Sequence, residues 1–90
     1  MFQISASDYF IKHSKKFFQK HPDLKEKFRQ TIDDLAQDPF QPYLKLHPLK
    51  GNLQGLHAIR LTYSFRITLT LQLTEHNITL LDIGSHDEVY

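Results

Sequence analysis

The chain has 90 residues, a formal charge of +1, no cysteine and an apolar content of 40%. That length predicts one domain, residues 1–90, with a single modest core. The missing cysteine excludes disulfides, thiolate catalysis and cysteine-ligated zinc, and fits a cytoplasmic setting. No apolar run approaches a membrane span, and no signal-peptide pattern opens the chain.

Phe2-Gln3-Ile4-Ser5 alternates and predicts a short edge strand. Ser5 or Ser7 suits the cap of a following helix, with Asp8 in its first turn. Phe10, Ser14, Phe17 and Phe18 recur at helical spacing, with Ile11 flanking, against Lys12, Lys15, Lys16 and Gln19 on the other side. This predicts an amphipathic helix over residues 7–20. His21-Pro22 breaks it, and Pro22 suits the start of a second helix. There Leu24, Phe28, Ile32 and Leu35 form an apolar stripe with Ala36 beside it, stopped by Asp38-Pro39 and Pro42.

Beyond residue 56 the period changes to two. Leu56 to Tyr63 places Ile59 and Leu61 on one face and Ala58, Arg60 and Thr62 on the other. Tyr63-Ser64 predicts a tight hairpin. Phe65 to Leu73 alternates, with odd positions apolar and even ones polar. This predicts a half-buried antiparallel strand. Glu75-His76-Asn77 reads as a turn, residues 78–83 as the last strand, and Gly84-Ser85 as a hinge before His86-Asp87-Glu88-Val89-Tyr90. The predicted fold is α+β, in the order β-α-α-β-β-β. A helical hairpin packs on one face of a sheet whose last three strands form an antiparallel meander.

Parity also places the polar residues. With Ile67, Leu69 and Leu71 toward the helices, Arg66, Thr68 and Thr70 face away. Arg60 does the same on its own strand, so both arginines are expected on an open face of the sheet. Charge is unevenly spread as well. Residues 39–74 hold Lys45, Lys50, Arg60 and Arg66 and no acid. Such a segment inside a near-neutral chain points to an anionic ligand at one site. The stretch Lys45 to Gly55 joins helix to sheet, with Leu46, Leu49 and Leu53 as anchors and Gly51 and Gly55 at turns; an ordinary solvated loop is the plain alternative.

Six histidines raise the question of a metal. His13, His21 and His76 read as helix-surface, cap and turn residues. His47, His57 and His86 are candidates to converge. Yet no His-x-x-x-His pair sits on one helix and carboxylates are scarce nearby, so neither a metal nor another cofactor is expected. There is no Gly-rich phosphate loop and no nucleophile elbow. Lys45, His47, Lys50, Arg60, Arg66, His86 and Tyr90 together suit RNA cleavage by attack of a 2′-hydroxyl on the adjacent phosphorus. Histidine titrates near neutrality, the cations stabilise the phosphoryl oxygens, and a rim aromatic stacks on an unpaired base.

The element order, the loop His47-Pro48-Leu49-Lys50-Gly51-x-Leu53-x-Gly55, Arg60 and the ending Ile83 to Tyr90 resemble the RelE/ParE toxin superfamily, and within it the YafQ-like mRNA interferases. The resemblance covers essentially the whole chain, although the N-terminal helices match only in pattern. It implies a type II toxin that cleaves mRNA in the ribosomal A site and is neutralised by a small cognate antitoxin protein. It implies catalytic roles for His47 and His86, and an active-site or base-stacking role for Tyr90. Arg60 falls where the YafQ-like branch carries histidine, and Ser64 where it carries an aspartate. Since Arg60 cannot act as a base, His47 and His86 would share the proton work, His47 as base and His86 as acid or the reverse. Arg60, Lys50 and Arg66 would stabilise the phosphate, with Lys45 nearby. The alternatives are a non-enzymatic ParE-like gyrase inhibitor and a catalytically inactive antitoxin-binding member.

Overall fold

The computed structural model describes residues 1–85. Strand β1, Gln3–Ala6, leads into helix α1, Asp8–Lys20. Ser7 caps α1, its hydroxyl accepting from the Phe10 N–H at 3.0 Å. A turn of 3₁₀ helix at Pro22–Leu24 precedes α2, Lys25–Gln37. Then come β2 (His47–Pro48), β3 (His57–Arg60), β4 (Phe65–Gln72) and β5 (Asn77–Ser85). They build one five-stranded sheet in the order β1-β5-β4-β3-β2. β1 runs parallel to β5, and the other pairings are antiparallel.

The core lies between the two helices and one face of this sheet. Phe10 and Phe17 of α1 and Leu35 of α2 meet Ile59, Leu61, Ile67, Leu69, Ile78, Leu80 and Ile83. All are buried, as parity requires for β3 and β4. Ile11, the flanking apolar residue of α1, is exposed. Among the described residues no helix is long and apolar enough to cross a membrane.

The sheet departs from the expected meander in four places. First, β2 is an additional strand. It is two residues long and contains Pro48, which lacks an N–H and suits a sheet edge. Second, β3 ends at Arg60. Leu61 leaves the strand but stays buried, its N–H donating to the Phe65 carbonyl at 2.9 Å. Residues 61–64 therefore form a longer link than a two-residue hairpin turn. Third, β4 and β5 change register between Thr68 and Leu69, leaving Leu81 as an extra residue between Leu80 and Asp82. This bulge moves the buried positions of β5 from Ile78 and Leu80 to Ile83. Fourth, Gly84-Ser85 is not a hinge. Both residues belong to β5, opposite Arg66 and Phe65.

Candidate functional site

Arg60 and Arg66 are direct cross-strand partners, and Gly84 continues the row on β5. Directly opposed residues lie about 5 Å apart at Cα, and like charges in that arrangement are destabilising by roughly 0.2–1 kcal/mol. Both side chains are half-buried, which holds the charges near the sheet. No carboxylate occurs in residues 39–74, the stretch that contains β2, β3 and β4. Among the described residues the nearest acid in the register is Asp82, opposite Thr68, and its carboxylate is taken up elsewhere. It accepts from His13 of α1 at 2.5 Å and from the Ile83 N–H at 2.8 Å.

His47 joins this face. It pairs with Ala58, two residues from Arg60 on β3 and of the same parity. Strand geometry puts His47 about 8 Å from Arg60 at Cα. The local chain fixes the imidazole. Lys45 adopts a left-handed conformation, φ 55°, as the chain turns from the 3₁₀ segment Pro42–Leu44 into β2. For a residue with a Cβ this conformation is uncommon. It brings the Lys45 carbonyl to 2.8 Å from His47 Nδ1. A carbonyl only accepts, so Nδ1 carries the proton and, in the neutral ring, the lone pair is on Nε2. That is the tautomer a general base needs at Nε2.

The other sequence candidates are distributed unequally. Lys45 is exposed, and the β2–β3 register extrapolates to a position level with Arg60. Lys50 is exposed at the opposite end of β2, level with residue 55, about 17 Å along the strand from Arg60. It shares the loop but not the row. Gly51 and Gly55, at φ 69° and 96°, make the turns of that loop. Ser64, the position without the turn acid, is exposed, and its N–H donates to Thr62 Oγ1 at 3.2 Å. His86 and Tyr90 lie outside the described residues.

Two expectations are corrected. The far face of the sheet is not uniformly open. Ala58 and Thr68 on it are buried, so the accessible part narrows to the row of Arg60 and Arg66 and the flank at His47. His57 does not converge with His47. Their partners, Leu69 and Ala58, differ in parity, so the two rings lie on opposite faces. His57 Nδ1 is buried with no hydrogen-bond partner among the described residues. Nor do any three His, Asp or Glu side chains there form a group able to hold a metal.

One residue of the site was missed by sequence reasoning. Tyr63, read as part of a turn, is 85% exposed, and the Arg60 guanidinium lies over its ring, 5.8 Å from the centroid. An aromatic in a solvent-facing hairpin link beside an arginine strand was the available signal.

No family model matches the chain, and no curated protein matches it in sequence. Solved structures do. The metal-bound toxin from Helicobacter pylori is 28% identical, with all of both chains covered and a TM-score of 0.81. The E. coli DinJ–YafQ complex contains a chain 18% identical, covering 100% of this chain and 99% of that one, at a TM-score of 0.78. The YoeB/ParE toxin from Agrobacterium tumefaciens is 20% identical over 93% of this chain and 98% of that one, at a TM-score of 0.74. The architecture is thus a toxin fold, two helices on a mixed five-stranded sheet. With YafQ and the YoeB/ParE toxin the likeness is one of fold.

Proposed function

We propose that this chain is the toxin of a type II toxin–antitoxin pair and acts as a ribosome-dependent mRNA endoribonuclease. The observation that carries the reading is the Arg60–Arg66 pair. Two arginines stand opposite each other on neighbouring strands, in a segment without acids, and neither has a carboxylate partner among the described residues, which suits an anionic ligand. His47 stands on the same face with its lone pair on Nε2. The likeness to YafQ solved with DinJ supports an antitoxin as the protein partner.

The chemistry follows from those positions. His47 Nε2 takes the proton of the 2′-hydroxyl as the 2′-oxygen bonds to phosphorus. Arg60 and Arg66 stabilise the charge that grows on the non-bridging oxygens. The bond from phosphorus to the 5′-oxygen breaks, and His86, which follows directly after β5, delivers a proton to the departing oxygen. The products are a 2′,3′-cyclic phosphate and a 5′-hydroxyl. The reading requires no metal for these steps. Tyr63 and Tyr90 hold the unpaired base, and Lys45 and Lys50 meet the flanking phosphates.

Expression without the neighbouring reading frame is expected to arrest growth, and co-expression of the antitoxin to relieve it. His86→Ala is expected to remove the arrest. Arrest by His86→Ala equal to that of the parent refutes the assigned chemistry. Inhibition of DNA supercoiling by purified protein, with ribosome-bound mRNA intact, would replace this reading with the gyrase one.

A further inference from the structure

The outer face of α1 carries a second concentration of charge. Lys12, Lys16 and Lys20 follow one another at intervals of four residues, about 6 Å apart along the helix. None has a carboxylate partner among the described residues, whereas Arg29 of α2 is bound to Glu26 at 2.6 Å. Two clefts adjoin along this stripe, of about 250 and 120 Å³. Tyr9, Lys12, His13 and Lys16 line the first. His13, Lys16, Phe17, Lys20 and His21 line the second.

His13 is shared by both clefts and is fixed from below. Its Nδ1 meets Asp82 of β5 at 2.5 Å, and the Tyr9 ring tilts against it at 5.4 Å between centroids. The carboxylate therefore holds the imidazole by its Nδ1 edge. Tyr9 is 61% exposed at the head of the stripe. At its foot, the Phe17 and His21 rings pack on Phe65 at 5.0 and 4.7 Å. Phe65 is the residue before Arg66, and it pairs with Ser85. The stripe thus runs toward the same end of the sheet as the arginine row.

We propose that the outer face of α1 is a second RNA-binding site, in which Lys12, Lys16 and Lys20 track successive phosphates of a single strand, Tyr9 stacks on a base, and His13 contacts a phosphate while held by Asp82. Evenly spaced cations, with no carboxylate partner among the described residues and an exposed aromatic at one end, suit a single-stranded nucleic acid, which has both a regular charge repeat and π-faces. An acidic protein segment meets the charge but leaves Tyr9 unused. The naming of the ligand as RNA rests on the function proposed above; the stripe does not.

The test is fluorescence anisotropy of the purified chain with a short labelled 2′-O-methyl RNA, which has no 2′-hydroxyl to attack and stays intact. Salt is varied between about 50 and 200 mM. Lys12→Gln/Lys16→Gln/Lys20→Gln is expected to weaken binding by about tenfold or more and to flatten the log–log salt slope by about 2, the value for three phosphates on a single strand. Tyr9→Ala is expected to weaken it about tenfold with the slope unchanged. Arg60→Gln/Arg66→Gln is expected to retain the lysine-dependent part of the binding. Triple-variant affinity and slope equal to the parent overturn the proposal. So does a polyglutamate peptide that binds as tightly as the RNA and loses as much in the triple variant, which assigns the stripe to a protein partner. Cleavage of translated mRNA is measured alongside. Lysine-dependent binding by a chain that cuts no message upholds the stripe and removes only the nuclease reading.

Discussion

Two adjacent cross-strand rows show how one residue of offset separates a buried apolar row from a charged one. Ile59, Ile67 and Ile83 form one row, fully buried under the helices. Arg60, Arg66 and Gly84 form the next, on the opposite face. The first row gains from every methyl group removed from water. The second sets like charges opposite each other, an arrangement that opposes folding unless an anion completes it. The sheet is therefore a stable plate whose period of two delivers an unfavourable charge pair to a chosen side.

The same substitution is expected to act very differently in the two rows. Ile67→Asp buries a carboxylate with no partner, at a cost of several kcal/mol, comparable with the whole stability of a domain this size. No cooperative transition is expected in urea unfolding followed by circular dichroism. Arg66→Asp, one residue earlier, is expected to stay within about 0.5 kcal/mol of the parent. It is also expected to abolish the proposed RNA cleavage, because it reverses charge where the proposal puts the phosphate.

Within the charged face, His47→Ala is expected to lower the cleavage rate by roughly 10²–10⁴-fold, the range for one acid–base group. Its urea midpoint should barely move, since the imidazole lies outside the core. A smaller effect is expected at the rim. Tyr63→Ala removes the ring beneath Arg60 and is expected to weaken RNA binding about tenfold, in the range for one stacked base. Equal binding by this variant would leave Tyr63 as a passive turn residue.

The smallest effect serves as a control outside both rows. The Tyr43 hydroxyl donates to Asp34 of α2. Partial desolvation first, then this bond and the Asp34 charge, push the phenol up to about 12. The folded value lies above the ordinary one of about 10, so the stabilisation is complete below about pH 10 and disappears as pH rises through the folded value. The residue is 43% exposed, so solvent screens most of the gain. An absorbance titration is expected to show a late phenolate step near pH 12 that Tyr43→Phe removes.

Much of this architecture is legible in the residues. The helices announce themselves through Phe10, Phe17 and Leu35 at helical spacing, the Ser7 cap and the Pro22 and Pro39 breaks. The alternation from Phe65 to Gln72 fixes which side of β4 each residue occupies, and so foretells the arginine row. Strand β2 was hidden because two residues, one a proline, carry no period. The bulge was hidden because Leu80 and Leu81 are both apolar, which masks the step in phase. Parity assigns a face but not an end, so it could not show that Leu61 leaves β3 while remaining buried. Nor does it say which apolar anchors pack where: Leu46 joins the main core, whereas Leu49 is buried apart from it.

The proposed activity is cleavage of RNA on the ribosome by the His47–Arg60–Arg66 face. Its most direct test is primer extension on a message translated in a reconstituted system, with the purified chain added. The account predicts cuts at a fixed position within codons, present only when ribosomes occupy the message, and lost in Arg60→Gln/Arg66→Gln. An intact message, or the same cuts on naked RNA and with the double variant, would contradict it.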